Sequence, residues 1–552
     1  MTESRTEKLG RWGFRHSRFA FKAALFVSTA LGLSIAISSL PAQAAGCEDL
    51  VNLKIPSTTI KTAESIPAGD YTASDKIKYT GLPAFCRVLA SVKEAPDSDV
   101  EIEMWLPKDG WTGVFHGNGS GGFGGTLASG ANAAAIKRGY ASVTTDMGTA
   151  PSNPLVGDPL IGHPRKWADW GKLSTHIVTK VGKDIAKAYY GKAAKHSYYT
   201  GCSTGGQEGL IEGQYYPNDY DGILIGAPVI NRTWGHAAVA WDYIVANKEP
   251  GHKLSDAKLT LLHDAAVSAC SAKGNGLKSD PFISDPQKCD FDPAKLTCQG
   301  ADSDKCLTEA EVATAKAFYT GPTNHAGKAT YFGWPPGSET GVLTWGFLEA
   351  PFNAPGEPSF DGLFKWVFGA DWNWRNFDLD RDMPKVDAKL GPLVNGVLTG
   401  DFSRFKARGG RMIIFQGWAD PIVAPDQTVD FFEKLNKKFG AKQDFAQLYM
   451  APGLVHCGLG GTGLNSFDSA QSSMTPVPAA DARHDLFLAI SGWVEDKNVP
   501  TEVVATTYVD AKDPSKGIAM QRPLCPYPQK AWYTGKGDPN DAGNFVCATK
   551  QP

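Results

Sequence analysis

The chain has 552 residues, of which 42% are hydrophobic and 20% are charged, which is the ordinary composition of a globular protein. This length accommodates one large domain with a sizeable insertion, or two domains. The formal net charge of −3 leaves no basic footprint, so we expect no nucleic-acid partner.

The first 44 residues have the pattern of a secretory signal peptide. Six basic residues precede the apolar run "AALFVSTALGLSIAISSL", and Ala42-Gln43-Ala44 supplies a small-x-small cleavage pattern. We therefore expect cleavage after Ala44, a periplasmic or extracellular location, and no membrane association of the mature chain. The alternatives are a retained membrane anchor, because the apolar run approaches spanning length, and a lipoprotein acylated at Cys47.

Ten cysteines follow the proposed cleavage site. An even number in an oxidising compartment favours disulfides, up to five of them here. No pair has the C-x-x-C spacing of zinc sites, so we expect no metal cluster.

Between residues 100 and 226, strand-like and helix-like segments alternate. The predicted strands are "VEIEMWLP", "TGVFHGNG", "YASVTTDMG", "HSYYTG" and "DGILIGAP". The predicted helices are "ANAAAIKRG", "STHIVTKVGKDIAKAYYG" with its glycine C-cap, and "GGQEGLIEGQYY". This order predicts an α/β fold with a mostly parallel sheet and crossover helices.

The alternation stops near residue 229 and resumes near residue 395. The intervening segment contains four cysteines and seven of the fifteen tryptophans. After it come a strand in "RMIIFQGWADP", a helix in "DQTVDFFEKLNKKFG", a strand in "DFAQLYMAP" and a helix in "DARHDLFLAISGWVED". We predict one α/β domain formed by residues 45–228 and 395–552, with residues 229–394 inserted as a second domain.

A candidate nucleophile lies at the end of the fourth predicted strand. Residues 201–205, "GCSTG", fit the G-x-S-x-G pattern between a strand and a helix. Small flanking residues allow a strained turn that exposes the Ser203 hydroxyl, and the following helix N-terminus favours an anion. The alternative is a plain glycine-rich turn.

Two later residues complete the order serine, acid, histidine that this pattern requires. Asp420 directly follows the strand in "RMIIFQGWADP", and His456 lies in the loop after the next strand. We predict Asp420 as the acid and His456 as the base. The alternatives are a turn aspartate ahead of Pro421 and a histidine that lies in a loop by chance.

Cysteines adjoin both candidates. Cys202 precedes the serine and Cys457 follows the histidine. Because a working serine and histidine lie within hydrogen-bond reach, their neighbours would approach the Cα separation of a disulfide. We predict a Cys202–Cys457 bridge that limits the drift of the two loops; the alternative is that each pairs elsewhere.

The segments "GCSTGG", "GWADP" and "VHCG" together resemble the tannase and feruloyl esterase family, which includes bacterial hydrolases of monohydroxyethyl terephthalate. The resemblance covers essentially the whole mature chain. It implies an α/β-hydrolase core with a large lid domain inserted between the serine and the acid. It also implies further disulfides, namely Cys47–Cys86, Cys270–Cys289, Cys298–Cys306 and Cys525–Cys547.

The oxyanion of an ester hydrolase needs backbone donors. With this motif they are the N–H of the residue after the nucleophile, here Thr204, and an N–H from a loop after an earlier strand. The glycine-rich stretch "GNGSGGFGG" is that loop, with Gly121 or Gly122 as the donor. A phosphate cradle is disfavoured because the GK[ST] ending is missing, and a flexible surface loop is the remaining alternative.

These features predict a secreted serine esterase acting through an acyl-enzyme. The resemblance implies a small-molecule substrate, an ester of an aromatic acid of the feruloyl, galloyl or terephthalate-monoester type. Tryptophans of the insertion either stack on that acid or pack the lid. The alternatives are an amidase or peptidase with the same residues, and a secreted binding protein that has lost its chemistry.

The resemblance also raises the question of calcium, which members of the family often bind in an aspartate-rich lid loop. The corresponding stretch here, "CSAKGNGLKSDPFISDP", has Ser271 and Asn275 where the first two aspartates are expected. Only Asp280, and after it Asp285, remain as carboxylates. Because calcium favours six to eight oxygen ligands, we expect no tight metal site and no required cofactor.

Overall fold

The computed structural model describes residues 45–351, 356–441, 443–459, 463–471 and 473–552. The predicted signal peptide, residues 1–44, lies outside these ranges. The described residues belong to the compact unit Ala42–Pro552. Within them, no helix is long and apolar enough to cross a membrane.

Fifteen strands are present in the described part of the chain. They are β1 (Thr58–Ile66), β2 (Gly69–Thr72), β3 (Lys78–Leu82), β4 (Phe85–Val92), β5 (Val100–Pro107), β6 (Val114–Asn118), β7 (Ala141–Thr145), β8 (His196–Cys202), β9 (Gly222–Gly226), β10 (Arg411–Gly417), β11 (Ala446–Ala451), β12 (Val503–Tyr508), β13 (Ile518–Leu524), β14 (Lys530–Tyr533) and β15 (Phe545–Ala548).

Nine of these strands form the central sheet, in the order β1-β4-β5-β7-β6-β8-β9-β10-β11. The strands from β7 to β11 in this order run parallel, whereas β1, β4 and β5 pair antiparallel along one edge. The sheet is therefore mostly parallel, as predicted. Within the antiparallel edge, β5 is antiparallel to both of its neighbours, β4 and β7.

The central parallel strands β9 and β10 are covered on both faces, which explains their uninterrupted apolar runs. In β9, Ile223 and Ile225 belong to one buried cluster and Leu224 to the other. In β10, Met412 and Ile414 face the first cluster while Ile413 faces the second. Side chains of a strand alternate between faces, so a strand buried on both sides shows no alternation between apolar and polar residues.

Thirteen α-helices flank the sheet or belong to the inserted segment. They are α1 (Ser129–Ile136), α2 (Pro164–Ala168), α3 (Ser174–Tyr190), α4 (Thr204–Tyr215), α5 (Arg232–Asn247), α6 (Asp256–Cys270), α7 (Glu309–Thr320), α8 (Trp345–Glu349), α9 (Gly362–Phe368), α10 (Leu379–Val394), α11 (Ser403–Ala407), α12 (Pro425–Phe439) and α13 (Leu486–Glu495). The count refers to the described residues.

Helix ends follow local chemistry. Helix α3 is terminated by Gly191, the residue after its last turn, whose φ of 68° is the left-handed conformation that glycine adopts without a steric penalty. Helix α13 begins five residues later than the pattern suggested, after Asp485, whose side chain accepts a hydrogen bond from the Phe487 N–H. An aspartate in this position satisfies one of the free amides of the first turn.

Residues 229–394 contain helices α5 to α10 and contribute no strand to the central sheet in the part that is described. Buried aromatic and aliphatic side chains form two clusters there, one around Trp366 and Leu363 and one around Trp345 and Leu262. The exact limits of the lid, and its status as a separate domain, stay a prediction.

All ten cysteines are paired. The bridges are Cys47–Cys86, Cys202–Cys457, Cys270–Cys289, Cys298–Cys306 and Cys525–Cys547, which are the pairs that the family resemblance implies. Four of them close loops of 8 to 39 residues, whereas Cys202 and Cys457 are separated by 255 residues.

Candidate active site

The candidate nucleophile occupies a strained turn between β8 and α4. Ser203 has φ 62° and ψ −116°, and its N–H donates to the Gly226 carbonyl at 3.0 Å. A β-carbon at Gly201 would lie 2.7 Å from the Gly205 backbone, and one at Gly205 would lie 3.1 Å from the Gly119 Cα. Close backbone approach therefore requires glycine at residue 201 and favours it at residue 205, which is the physical content of the G-x-S-x-G pattern.

Asp420 and His456 meet at the carboxyl ends of β10 and β11. The His456 Nδ1 donates to the Asp420 Oδ2 at 2.9 Å, and both residues are buried. With Nδ1 as donor to a carboxylate, Nε2 is the ring nitrogen that can accept a proton. The predicted acid and base are thus brought together in the geometry that orients an imidazole.

The Asp420 carboxylate is held by further hydrogen bonds. Its Oδ1 accepts from the Ile422 N–H at 2.9 Å and the Val423 N–H at 3.0 Å. Its Oδ2 also accepts from the Gln416 Nε2 at 3.1 Å. Both oxygens of the Asp420 carboxylate therefore accept hydrogen bonds, and these fix its orientation toward His456.

A disulfide joins the serine turn to the histidine loop. The Cα atoms of Cys202 and Cys457 lie 5.9 Å apart, and each cysteine adjoins one of the candidate residues. The Ser473 hydroxyl donates to the Cys457 carbonyl and adds a second restraint on the same loop.

Ser203 and His456 line one cavity of about 320 Å³. Asp420 lies behind the histidine and is fully buried. Among the described contacts there is no hydrogen bond between the Ser203 hydroxyl and the imidazole. Catalytic hydrogen bonds are often long without substrate and tighten in the Michaelis complex.

The glycine-rich loop after β6 lies beside the serine turn. The Gly119 N–H donates to the Thr200 carbonyl, and the Gly205 N–H donates to the Ser120 carbonyl, both at 2.8 Å. The Ser120 N–H is likewise taken, by the Glu208 carboxylate at 3.0 Å. Of the four loop residues that line the cavity, Gly121 and Gly122 are those whose amides have no acceptor among the described contacts.

Thr204 supplies the other candidate donor. It is the first residue of α4, so its N–H has no acceptor within the helix. Its hydroxyl donates to the Gly122 carbonyl at 2.8 Å, so it links the two halves of the predicted oxyanion hole.

Two lining residues were missed at the sequence level. Arg232 and His236 lie one turn apart at the start of α5, are nearly fully buried and line the cavity. Burial lowers the pKa of His236 to about 3, with the Arg232 charge adding to the effect, and burial lowers the pKa of Arg232 to about 9. Neither residue belongs to a motif, so only their position six to ten residues after strand β9 could have drawn attention to them.

None of the seven tryptophans of the inserted segment is among the described residues that line the cavity. Trp334, Trp345, Trp366 and Trp374 are buried, and Trp366 packs against the rest of the chain by stacking on Trp167. Packing is thus the role that the structure assigns to them. The aromatic residue that lines the cavity is Phe360, with aliphatic neighbours such as Val229 and Val239.

The candidate calcium ligands are engaged by cations. Asp280 accepts from the Arg522 Nη2 at 3.0 Å and from the Leu277 N–H at 2.9 Å. Asp285 forms an ion pair with Lys530. A divalent cation at either carboxylate would face a lysine or arginine already in place, so this donor set does not fit a tight calcium site.

The comparisons with known proteins show the family to which the chain belongs. A model of the family described as tannase and feruloyl esterase matches residues 86–548. An uncharacterized esterase of Xanthomonas campestris pv. campestris is 34% identical over 545 residues, covering 93% of this chain and 92% of that protein. The mono(2-hydroxyethyl) terephthalate hydrolase of Piscinibacter sakaiensis is 30% identical over 564 residues, covering 89% and 88%.

Solved structures show the same fold. The crystal structure of feruloyl esterase B from Aspergillus oryzae has a TM-score of 0.81 at 24% identity, covering 91% of this chain and 99% of that one. A second esterase from Aspergillus oryzae has a TM-score of 0.82 at 23% identity, with the same coverage. The mostly parallel central sheet with flanking helices is the fold of these proteins, and the predicted α/β-hydrolase fold is confirmed.

Proposed function

The chain belongs to the tannase and feruloyl esterase family, and we propose that it is a serine esterase that hydrolyses carboxylic esters of aromatic acids. The observation that carries this proposal is the convergence of three loops. Ser203 and His456 border one cavity, Asp420 orients the imidazole, and the Cys202–Cys457 bridge ties the first loop to the last.

In the proposed reaction, the Ser203 Oγ attacks the ester carbonyl while the His456 Nε2 takes its proton. Asp420 holds the imidazole tautomer and stabilises its protonated form. The tetrahedral oxyanion accepts hydrogen bonds from the Thr204 N–H and from Gly121 or Gly122. Collapse of this intermediate releases the alcohol, which takes a proton from His456. Water then attacks the acyl-enzyme while His456 takes its proton, and His456 returns that proton to the Ser203 Oγ as the acid leaves.

The aromatic acyl group is supported by the cavity and by the relatives. Apolar side chains line most of the cavity, among them Val229, Val239, Phe360, Ile422 and Val423. Pockets of this kind bury flat, apolar ligands and use a few polar groups for orientation. Relatives named as feruloyl esterase and as mono(2-hydroxyethyl) terephthalate hydrolase carry aromatic acids in their names.

We also propose that the enzyme works outside the cytoplasm. Five disulfides in one chain are favoured in an oxidising compartment. The N-terminal sequence predicts the export signal that such a location requires.

The test is a panel of aromatic esters with matched anilides, assayed on the purified mature chain. We expect ester hydrolysis to exceed anilide hydrolysis, and a fluorophosphonate to label Ser203. Ser203→Ala should remove both the ester hydrolysis and the fluorophosphonate labelling. Asp420→Asn should lower kcat by about 10⁴-fold because the imidazole adopts the wrong tautomer. Faster anilide cleavage would indicate an amidase, and an unlabelled Ser203 would indicate a binding protein.

A further inference from the structure

Arg232 is a buried cation that the proposed reaction does not use. Its side chain is 4% exposed and borders the active-site cavity. The guanidinium forms no ion pair with any carboxylate in the described ranges. Its Nε donates to the Gln207 Oε1 at 2.7 Å, and its Nη2 donates to the Thr204 Oγ1 at 2.8 Å. A charge that is buried without an ion-pair partner is costly, so the burial of this guanidinium calls for an explanation.

The hydrogen bond to Thr204 continues into the glycine-rich loop. The Thr204 hydroxyl accepts from Arg232 and donates to the Gly122 carbonyl at 2.8 Å. That carbonyl accepts a second hydrogen bond, from the Trp170 Nε1 at 2.9 Å. The Cζ atom of the same guanidinium lies 4.8 Å from the centroid of the Trp170 ring. Arginine, threonine, glycine carbonyl and tryptophan thus form a closed arrangement.

We propose that Arg232 is a positioning residue that holds the two halves of the oxyanion hole together through the Thr204 hydroxyl. The inference rests on the proposed function, because it concerns the same site. One half is the Thr204 N–H at the start of α4, and the other is the amide of Gly121 or Gly122.

The direction of the hydrogen bonds gives Arg232 its role. A threonine hydroxyl has one proton and rotates freely, but a guanidinium can only donate. Arg232 therefore occupies a lone pair of the Thr204 oxygen and leaves its proton directed at the Gly122 carbonyl. Because this hydrogen bond holds the Gly122 carbonyl, the backbone of the loop and its adjacent amides stay at a constant distance from the Thr204 N–H. Preorganised donors of this kind stabilise an oxyanion without reorganisation during the reaction.

The positive charge of Arg232 also favours the negative charge that develops in the oxyanion hole. It lies one hydrogen bond from Thr204, in a buried environment where electrostatic interactions are stronger than in water. Arg232 is also the first residue of α5, which lies in the segment 229–394 predicted as the lid, so this segment contacts Thr204 directly.

The test uses Thr204→Val and Arg232→Met, each of which breaks the chain of hydrogen bonds at a different point. We expect either variant to lower kcat about 10- to 100-fold, with KM changed less than about two-fold, because the lost interaction acts in the transition state. Affinity for an arylboronic acid, a mimic of the tetrahedral species, should fall in parallel. Thr204→Ser keeps the hydroxyl and should recover most of the rate.

A matched control is Thr314→Val. Thr314 is equally buried, and its hydroxyl donates to the Ala310 carbonyl within α7, in the lid. This variant should lose stability without a change in kcat. The double variant Thr204→Val/Arg232→Met should be no slower than the slower single variant, because both changes break one chain.

Three results would overturn the proposal. A rise in KM at constant kcat would show that the guanidinium binds substrate, additive losses would show that the two residues act independently, and unchanged kinetics would show no role. If Arg232→Met does not fold, the comparison of Thr204→Val with Thr204→Ser decides. Failure of the proposed function is separate, since it would appear as an unlabelled Ser203 in the unmodified protein.

Discussion

At the scale of single residues, Gly121 and Gly122 are neighbours with different steric surroundings. Gly122 has φ 53°, and a β-carbon there would lie 1.8 Å from the Pro154 carbonyl oxygen. A β-carbon at Gly121 would meet no heavy atom within 4 Å. One position therefore requires glycine for its backbone, whereas the other tolerates a side chain.

This contrast yields a prediction for the oxyanion loop. Gly122→Ala must displace the backbone, and a shift of about 1 Å in catalytic geometry can cost roughly 100-fold in rate. We expect kcat to fall by that order in Gly122→Ala and by much less in Gly121→Ala, measured with one aromatic ester and with thermal unfolding as a check on folding. Equal losses in the two variants would contradict the steric argument.

At the scale of elements, the Cys202–Cys457 bridge connects the turn after β8 to the loop after β11. Its closed loop of 255 residues is much longer than the 8-residue loop of Cys298–Cys306. In a chain-entropy estimate, a bridge of the longer kind stabilises the folded state by roughly 5 kcal/mol. It also restrains the distance between the predicted nucleophile and its base.

We therefore predict that Cys202→Ala/Cys457→Ala lowers both the melting temperature and kcat/KM. Cys298→Ala/Cys306→Ala, at two half-buried positions that do not line the cavity, should change the melting temperature slightly and leave kcat/KM unchanged. Calorimetry and ester kinetics on both double variants make the comparison. A catalytic site that works equally well without the first bridge would show that packing alone positions the two loops.

At the scale of the whole molecule, several carboxyl groups are buried without a cationic partner among the described residues. Glu349, at the end of α8, is fully buried and accepts one hydrogen bond, from the Leu254 N–H at 3.1 Å. Burial raises its pKa from 4.5 to about 8. Burial likewise raises the pKa of Asp468 to about 7, with Asp485 adding to the effect.

The sign of the resulting pH dependence follows from proton binding. A group with a raised folded-state pKa binds its proton more tightly in the folded state, so its stabilising contribution is lost as pH rises from 4.5 through 8. Glu349→Gln resembles the protonated form at every pH. We expect its melting temperature to equal that of the unmodified protein near pH 4.5 and to exceed it increasingly up to pH 8. A constant difference across this range would contradict the raised pKa.

The order of elements and the main candidate residues could be predicted from the sequence. The strands β6 to β11 and helices α3, α4 and α12 lie within a few residues of their predicted bounds. Apolar periodicity and glycine positions reflect local backbone geometry and burial, which the neighbouring residues largely determine. The positions of Ser203, Asp420 and His456 were visible for the same reason, because each follows a recognisable strand.

Other features became apparent only in the tertiary structure. The antiparallel edge formed by β1, β4 and β5, the placement of Arg232 against Thr204, and the pairing of Asp280 with Arg522 all involve partners on separate elements. Local sequence patterns carry no information on which of many arginines or strands will meet a given residue. That choice is made when the whole chain packs, and it decides which side chains surround the cavity.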